Sequence, residues 1–185
     1  GASGRGCVVS EPNLARLCFL LDVVAREGHH LVDTHGRLFA EELDAEWLSR
    51  LEHDAVLAER VDAFAARFGR MQDTLGEKLI PELLRCLAER PGAVLDNLRR
   101  LERLDLLASA AEWIEARNLR NRLVHEYVRD PEEFIGALKR SGELVALLVN
   151  TFNSVNHFAA RRFSADGARF PAAIRFPASD PTPAA

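Results

Sequence analysis

The chain has 185 residues, 48% of them hydrophobic and 28% charged, with a net charge of −4. That length suits one domain able to bury a real core, and the composition is that of a globular protein rather than a disordered or fibrous one. The acidic balance excludes a surface that attracts nucleic acid everywhere, so any such binding has to come from a local basic patch.

The three cysteines, Cys7, Cys18 and Cys86, have no CxxC spacing. An odd number without that spacing argues against a disulfide framework and a zinc site, and a reducing cytoplasm is the expected location. No apolar run reaches membrane-spanning length and no signal-peptide pattern is present, so no membrane partner is expected. His29, His30 and His35 match no standard metal-ligand spacing, and neither a metal nor a cofactor is expected.

Residues 1–10 read as a disordered lead-in or an appended remnant, and 11–163 as a single helical bundle. Leu14, Leu17, Cys18, Leu21 and Val24 keep helical spacing, with a stop expected near Gly28 and a loop or short helix from His29 to Phe39. A second pattern runs from Asp44 to Phe68, with a break expected near His53 and a stop at Gly69 or beyond. A third, Leu79 to Leu87, ends at the turn signal Arg90-Pro91-Gly92. Asp96 to Leu107 is a short leucine- and arginine-rich helix, and Ser109-Ala110-Ala111-Glu112 is a capping box that starts the next one. That helix is expected to end near Asp130-Pro131, where Asp130 caps a last helix with Pro131 at its first position. Phe134 to Phe158 then keep helical spacing, and residues 164–185, with four of the eight prolines, are expected to form a flexible tail. The fold class is all-α, an up-and-down bundle of four to five helices.

The chemistry concentrates in Arg117-Asn118-Leu119-Arg120-Asn121-Arg122-Leu123-Val124-His125-Glu126-Tyr127. From Arg117 to Arg129 there are four arginines and one glutamate, the local basic patch the net charge demands. At about 100° per residue, Trp113, Ala116, Leu123, Val124 and Tyr127 share a core-facing stripe. Arg117, Asn121 and His125 line a neighbouring face. Arg120 falls inside the apolar stripe, where an unpaired charge is costly. It stands about 140° from His125, across the boundary between the two faces. Taken one at a time, each of these residues has a plain explanation as solvated helix surface, but the cluster is harder to explain by packing.

Histidine can move protons near neutral pH, and arginine can neutralise a phosphate. Without metal ligands, the natural reaction is RNA cleavage by the adjacent 2′-hydroxyl. That reaction needs both a base and an acid, which a symmetric dimer would supply from two copies of the helix.

Arg120-Asn121-Arg122-Leu123-Val124-His125-Glu126-Tyr127 resembles the R-x4-H-x-Y signature of HEPN-domain proteins, in particular the HepT-like toxin ribonucleases. The specific match is confined to residues 116–127 and the following Asp130-Pro131, although most of 14–158 is compatible with a HEPN bundle. The resemblance implies a homodimer whose paired motifs form a metal-independent ribonuclease cleft. It also implies a cognate MntA-like nucleotidyltransferase antitoxin that transfers AMP to the motif tyrosine. Carried over, Arg120 and His125 would be catalytic, Asn121 supporting and Tyr127 the AMP acceptor. The helical geometry adds Arg117 as a second phosphate contact. Two alternatives stay open: a non-catalytic nucleotide- or partner-binding subunit of a nucleotidyltransferase, and a helical scaffold whose arginines are only solvated.

Overall fold

A computed structural model describes residues 11–125, 130–164 and 167–177. Within them the chain forms α1 (Glu11–Leu38), α2 (Ala45–Leu51), α3 (Ala55–Thr74), a π-helical turn (Leu75–Leu79), α4 (Ile80–Cys86), α5 (Val94–Arg103), α6 (Ala110–His125) and α7 (Pro131–Phe163), with no strand among the described residues. No helix there is long and apolar enough to cross a membrane.

Local signals set most boundaries. The Asp44 carboxylate accepts from the Trp47 amide at 2.8 Å to start α2, and Asp54 accepts from Leu57 at 3.0 Å to start α3. The break between α2 and α3 spans His53, as the sequence predicts. Pro81 has no amide hydrogen, and its ring crowds the carbonyl four residues back, that of Glu77. The chain answers with the π turn, in which the Ile80 amide bonds the Leu75 carbonyl five residues back and helical direction is kept. Ser109 accepts from the Glu112 amide at 3.1 Å, and the Glu102 carboxylate takes the Ala110 amide at 2.7 Å, so α6 starts from two caps. Asp130 accepts from the Glu132 and Glu133 amides, both at 3.1 Å, with Pro131 opening α7.

Four long elements form the bundle: α1 packs on α3, α3 on α6, α6 on α7 and α7 back on α1. Cross-contacts give the directions. Glu27 meets Thr74 while Thr34 meets Arg67, so α1 and α3 run antiparallel. Arg140 meets Glu115 while Glu133 meets Arg122, so α6 and α7 do too. The ring encloses Trp47, Phe64, Phe68, Trp113, Phe152 and Phe163, each nearly or wholly inaccessible to solvent. The up-and-down arrangement follows from this geometry.

Two expectations are corrected. α1 does not stop near Gly28, nor does a loop follow; it runs unbroken to Leu38. Gly28 is buried at a close approach, where an added Cβ would stand 2.3 Å from Ile174 Cδ1 and 3.1 Å from Met71 Cε. The glycine therefore serves packing, and its helix-breaking tendency of about 1 kcal/mol is outweighed. Nor do residues 167–177 behave as the expected flexible tail. Asn153 exchanges two hydrogen bonds with the Ile174 backbone at 2.8 and 2.9 Å, and Asn156 donates to the Pro171 carbonyl at 2.8 Å. Ile174 is 3% exposed, and Phe170 and Phe176 pack on the core, so this stretch is an extended strap laid over α1 and α7.

Candidate functional site

The candidate site is the seam between α3 and α6. Among the described side chains of α6, Ala110, Trp113, Ala116, Leu119 and Leu123 are buried. Arg120, which falls between Trp113 and Ala116 around the helix, lies within this apolar face, as the sequence predicts. The Trp113 carbonyl accepts from Gln72 Nε2 at 3.2 Å, a bond that ties the start of α6 to α3.

Further along, α3 presents Gly69, Asp73 and, in the π turn, Glu77, spaced four apart and facing α6. Arg120 lies across Gly69, where an added Cβ would stand 2.9 Å from Arg120 Nε and 3.0 Å from its Cγ. Its guanidinium meets Asp73 at 3.0 Å and touches the Asn121 side-chain oxygen at 3.4 Å. Arg117 pairs with Glu77 at 3.2 Å. Arg122 pairs with Glu133 at the start of α7. Thus α3 supplies both the space and the counter-charge that let an arginine occupy an apolar stripe. The Arg120 and Asp73 side chains are 36% and 38% exposed, so the pair is open to water and to a competing anion.

A cavity of only about 10 Å³ lies in this seam, between Gln72, Trp113 and Arg117. That is room for at most a water, so any larger ligand would have to approach from the open side, over Arg117 and Arg120. Arg117, Arg120 and Asn121 are thus brought together on one open edge. His125 is the last described residue of α6, one turn beyond Asn121. Its side chain, and Tyr127 altogether, lie outside the described residues.

On the far side of α6, Arg140 of α7 grips Glu115 with two bonds of 2.8 Å and reaches Glu143 at 2.9 Å. The hydrogen bonds that Arg140 donates hold the Glu115 carboxyl below its ordinary range, and the acceptance of those bonds by Glu115 and Glu143 pushes the guanidinium up. This clamp fixes how α6 sits between its neighbours. Of the earlier histidines, His35 packs against Phe39, Phe64 and Phe176, with ring centroids 4.7, 6.4 and 5.0 Å away. It therefore serves the core and strap, and burial lowers its pKa. Among the described residues no group of three or more histidines, cysteines and carboxylates is placed to hold a metal.

Sequence reasoning missed Gly69, Asp73 and Glu77. They lie 40 to 51 positions before their partners, and nothing local marks them as such; the only signal was the question of what pairs Arg120. Compared with family models, with curated proteins and with solved structures, the chain matches none.

Proposed function

We propose that the chain is a metal-independent endoribonuclease toxin of the HEPN, HepT-like type. On this reading it acts in the cytoplasm as a homodimer and is silenced by an MntA-like nucleotidyltransferase that transfers AMP to Tyr127. The observation that carries the proposal is Arg120, held on an open helix edge with Arg117 and Asn121 beside it, one turn before His125. Cleavage would begin with attack of a ribose 2′-oxygen on the adjacent phosphorus, its proton passing to one His125. The bond to the 5′-oxygen breaks as the second protomer's histidine protonates that oxygen. The products are a 2′,3′-cyclic phosphate and a free 5′-hydroxyl. Arg120, leaving Asp73 for the substrate, would neutralise the extra charge on phosphorus, with Arg117 as a second contact.

The test is incubation of the purified protein with total RNA in excess chelator, expecting cyclic-phosphate ends that His125→Ala abolishes. Undiminished cutting by that variant would overturn the assignment. Intact mass after co-expression with a neighbouring nucleotidyltransferase checks the AMP transfer to Tyr127.

One observation favours a second reading, a non-catalytic nucleotide- or partner-binding subunit of a nucleotidyltransferase. Arg117, Arg120 and Arg122 are all paired with carboxylates, as cations that only join helices would be. Inertness towards RNA, combined with tight co-purification with the nucleotidyltransferase, would select this reading.

A further inference from the structure

A second cationic feature lies on a neighbouring face of α3. Helices α1 and α3 flank a cleft of about 380 Å³ lined by Val23, Arg26, Glu27, His30, Arg67 and Arg70. The volume is in the range of small-ligand sites. Arg26 and Arg70 are exposed, and neither forms an ion pair or hydrogen bond among the described residues. The arginines of α6, by contrast, are all paired. Arg67 is held in place by the His30 carbonyl at 3.3 Å and by the Thr34 hydroxyl, so its guanidinium enters the cleft pre-oriented. Three guanidiniums and a histidine thus face one carboxylate, in a chain whose net charge is −4. That carboxylate, Glu27, has one oxygen taking the Thr74 hydroxyl at 3.1 Å and the other buried without a partner. Such an acceptor would be satisfied by a hydroxyl or amine donor at the floor of the cleft.

We propose that the α1–α3 cleft is a phosphate site for a ribonucleotide, with Arg26, Arg67 and Arg70 on the phosphate and Glu27 accepting from the sugar or base. Planar guanidinium forks suit phosphate oxygens, and the buried acceptor suits a ligand that also carries donors. Arg70 directly follows Gly69, the residue under Arg120, so the cleft and the α3–α6 seam flank the same turn of α3. A strand crossing α3 would therefore meet two phosphate stations in succession. The choice of a ribonucleotide rests on the RNA-cleaving reading; the anion chemistry of the cleft does not. The phosphate can come from a free mononucleotide or from an RNA strand.

The test uses the full chain in a His125→Ala background and a fluorescent oligoadenylate of about eight nucleotides, comparable to single-strand site sizes. Anisotropy is followed across a salt series, with AMP as competitor. Arg26→Gln with Arg70→Gln is expected to lower the magnitude of the log-affinity against log-salt slope by about 1.4, two single-strand contacts, and to weaken binding roughly 25-fold at about 0.1 M salt. Arg161→Gln with Arg162→Gln removes the same charge at the far end of α7 and is expected to change neither. Competition by AMP identifies a free-nucleotide site, and binding of the oligomer alone identifies a strand station. No binding of either probe to the parent, parental binding by the cleft variant, or an equal fall in the α7 control would overturn the proposal. If the cleft variant loses binding while the protein with His125 intact fails to cut RNA, the cleft stands and the nuclease reading falls.

Discussion

Gly69→Ala isolates the placement of Arg120 from the stability of the fold. The new Cβ would stand 2.9 Å from Arg120 Nε and 3.0 Å from Cγ, so the arginine has to leave its track across α3 and release Asp73. Exchanging glycine for alanine inside a helix stabilises by about 1 kcal/mol. The lost pair is more than a third exposed on both sides, so solvent screening limits its worth to about 1 kcal/mol or less. The two effects nearly cancel, and the melting temperature is expected to stay within roughly 4 °C of the parent. Displacing a charge-stabilising group by about 1 Å, however, costs on the order of 100-fold in rate. Thermal unfolding and chelator-resistant RNA cleavage, measured side by side with Arg120→Ala, check both halves. Cleavage at the parental rate in Gly69→Ala, with Arg120→Ala inactive, would refute the idea that α3 positions this arginine for chemistry. A loss of more than about 2 kcal/mol would show instead that Gly69 is needed for helix packing.

Two further predictions concern the strap. Ile174→Ala removes a side chain that is 3% exposed against Gly28 and Met71. It should cost about 2 kcal/mol, the low end for a buried isoleucine because a strap can partly collapse, and lower the melting temperature by roughly 4–8 °C; an unchanged melting curve would mean the strap is not docked. The second prediction is a pH dependence from His35. Burial lowers its folded-state pKa, so the unfolded chain binds the proton more readily. Stability from this group is therefore complete above the unfolded value of about 6.5 and is lost as pH falls below it, towards the lowered folded value. His35→Phe should flatten that part of the pH–stability curve, and an identical curve for variant and parent would refute the assignment.

Signals that act within one turn were legible in the sequence. The carboxylate of Asp130 and the hydroxyl of Ser109 each bond amides two or three residues on, so they mark helix starts without reference to the rest of the chain. The periodicity of the apolar residues was enough to define an all-helical bundle and to put Trp113, Ala116 and Leu123 on its inner face. The concentration of Arg117, Arg120 and Asn121 on one helix was equally plain, because neighbours at three and four positions share a face.

Tertiary structure decided the rest. Gly28 looks like a helix stop until Ile174, nearly 150 positions later, is seen to need its missing side chain. The proline-containing strap looks like a tail until Asn153 and Asn156 satisfy its backbone. Arg120 looks misplaced until Asp73 and Gly69 arrive from α3, and the Arg26, Arg67 and Arg70 cleft does not exist in either helix alone. The physical reason is common to all four. Helix formation is governed by contacts within a few residues, whereas burial and ion pairing depend on which helix faces are brought together in space. This chain by itself determined its helices and its cationic motif; only the antiparallel packing of α1, α3 and α6 decided what that motif rests against and which arginines come together in the α1–α3 cleft.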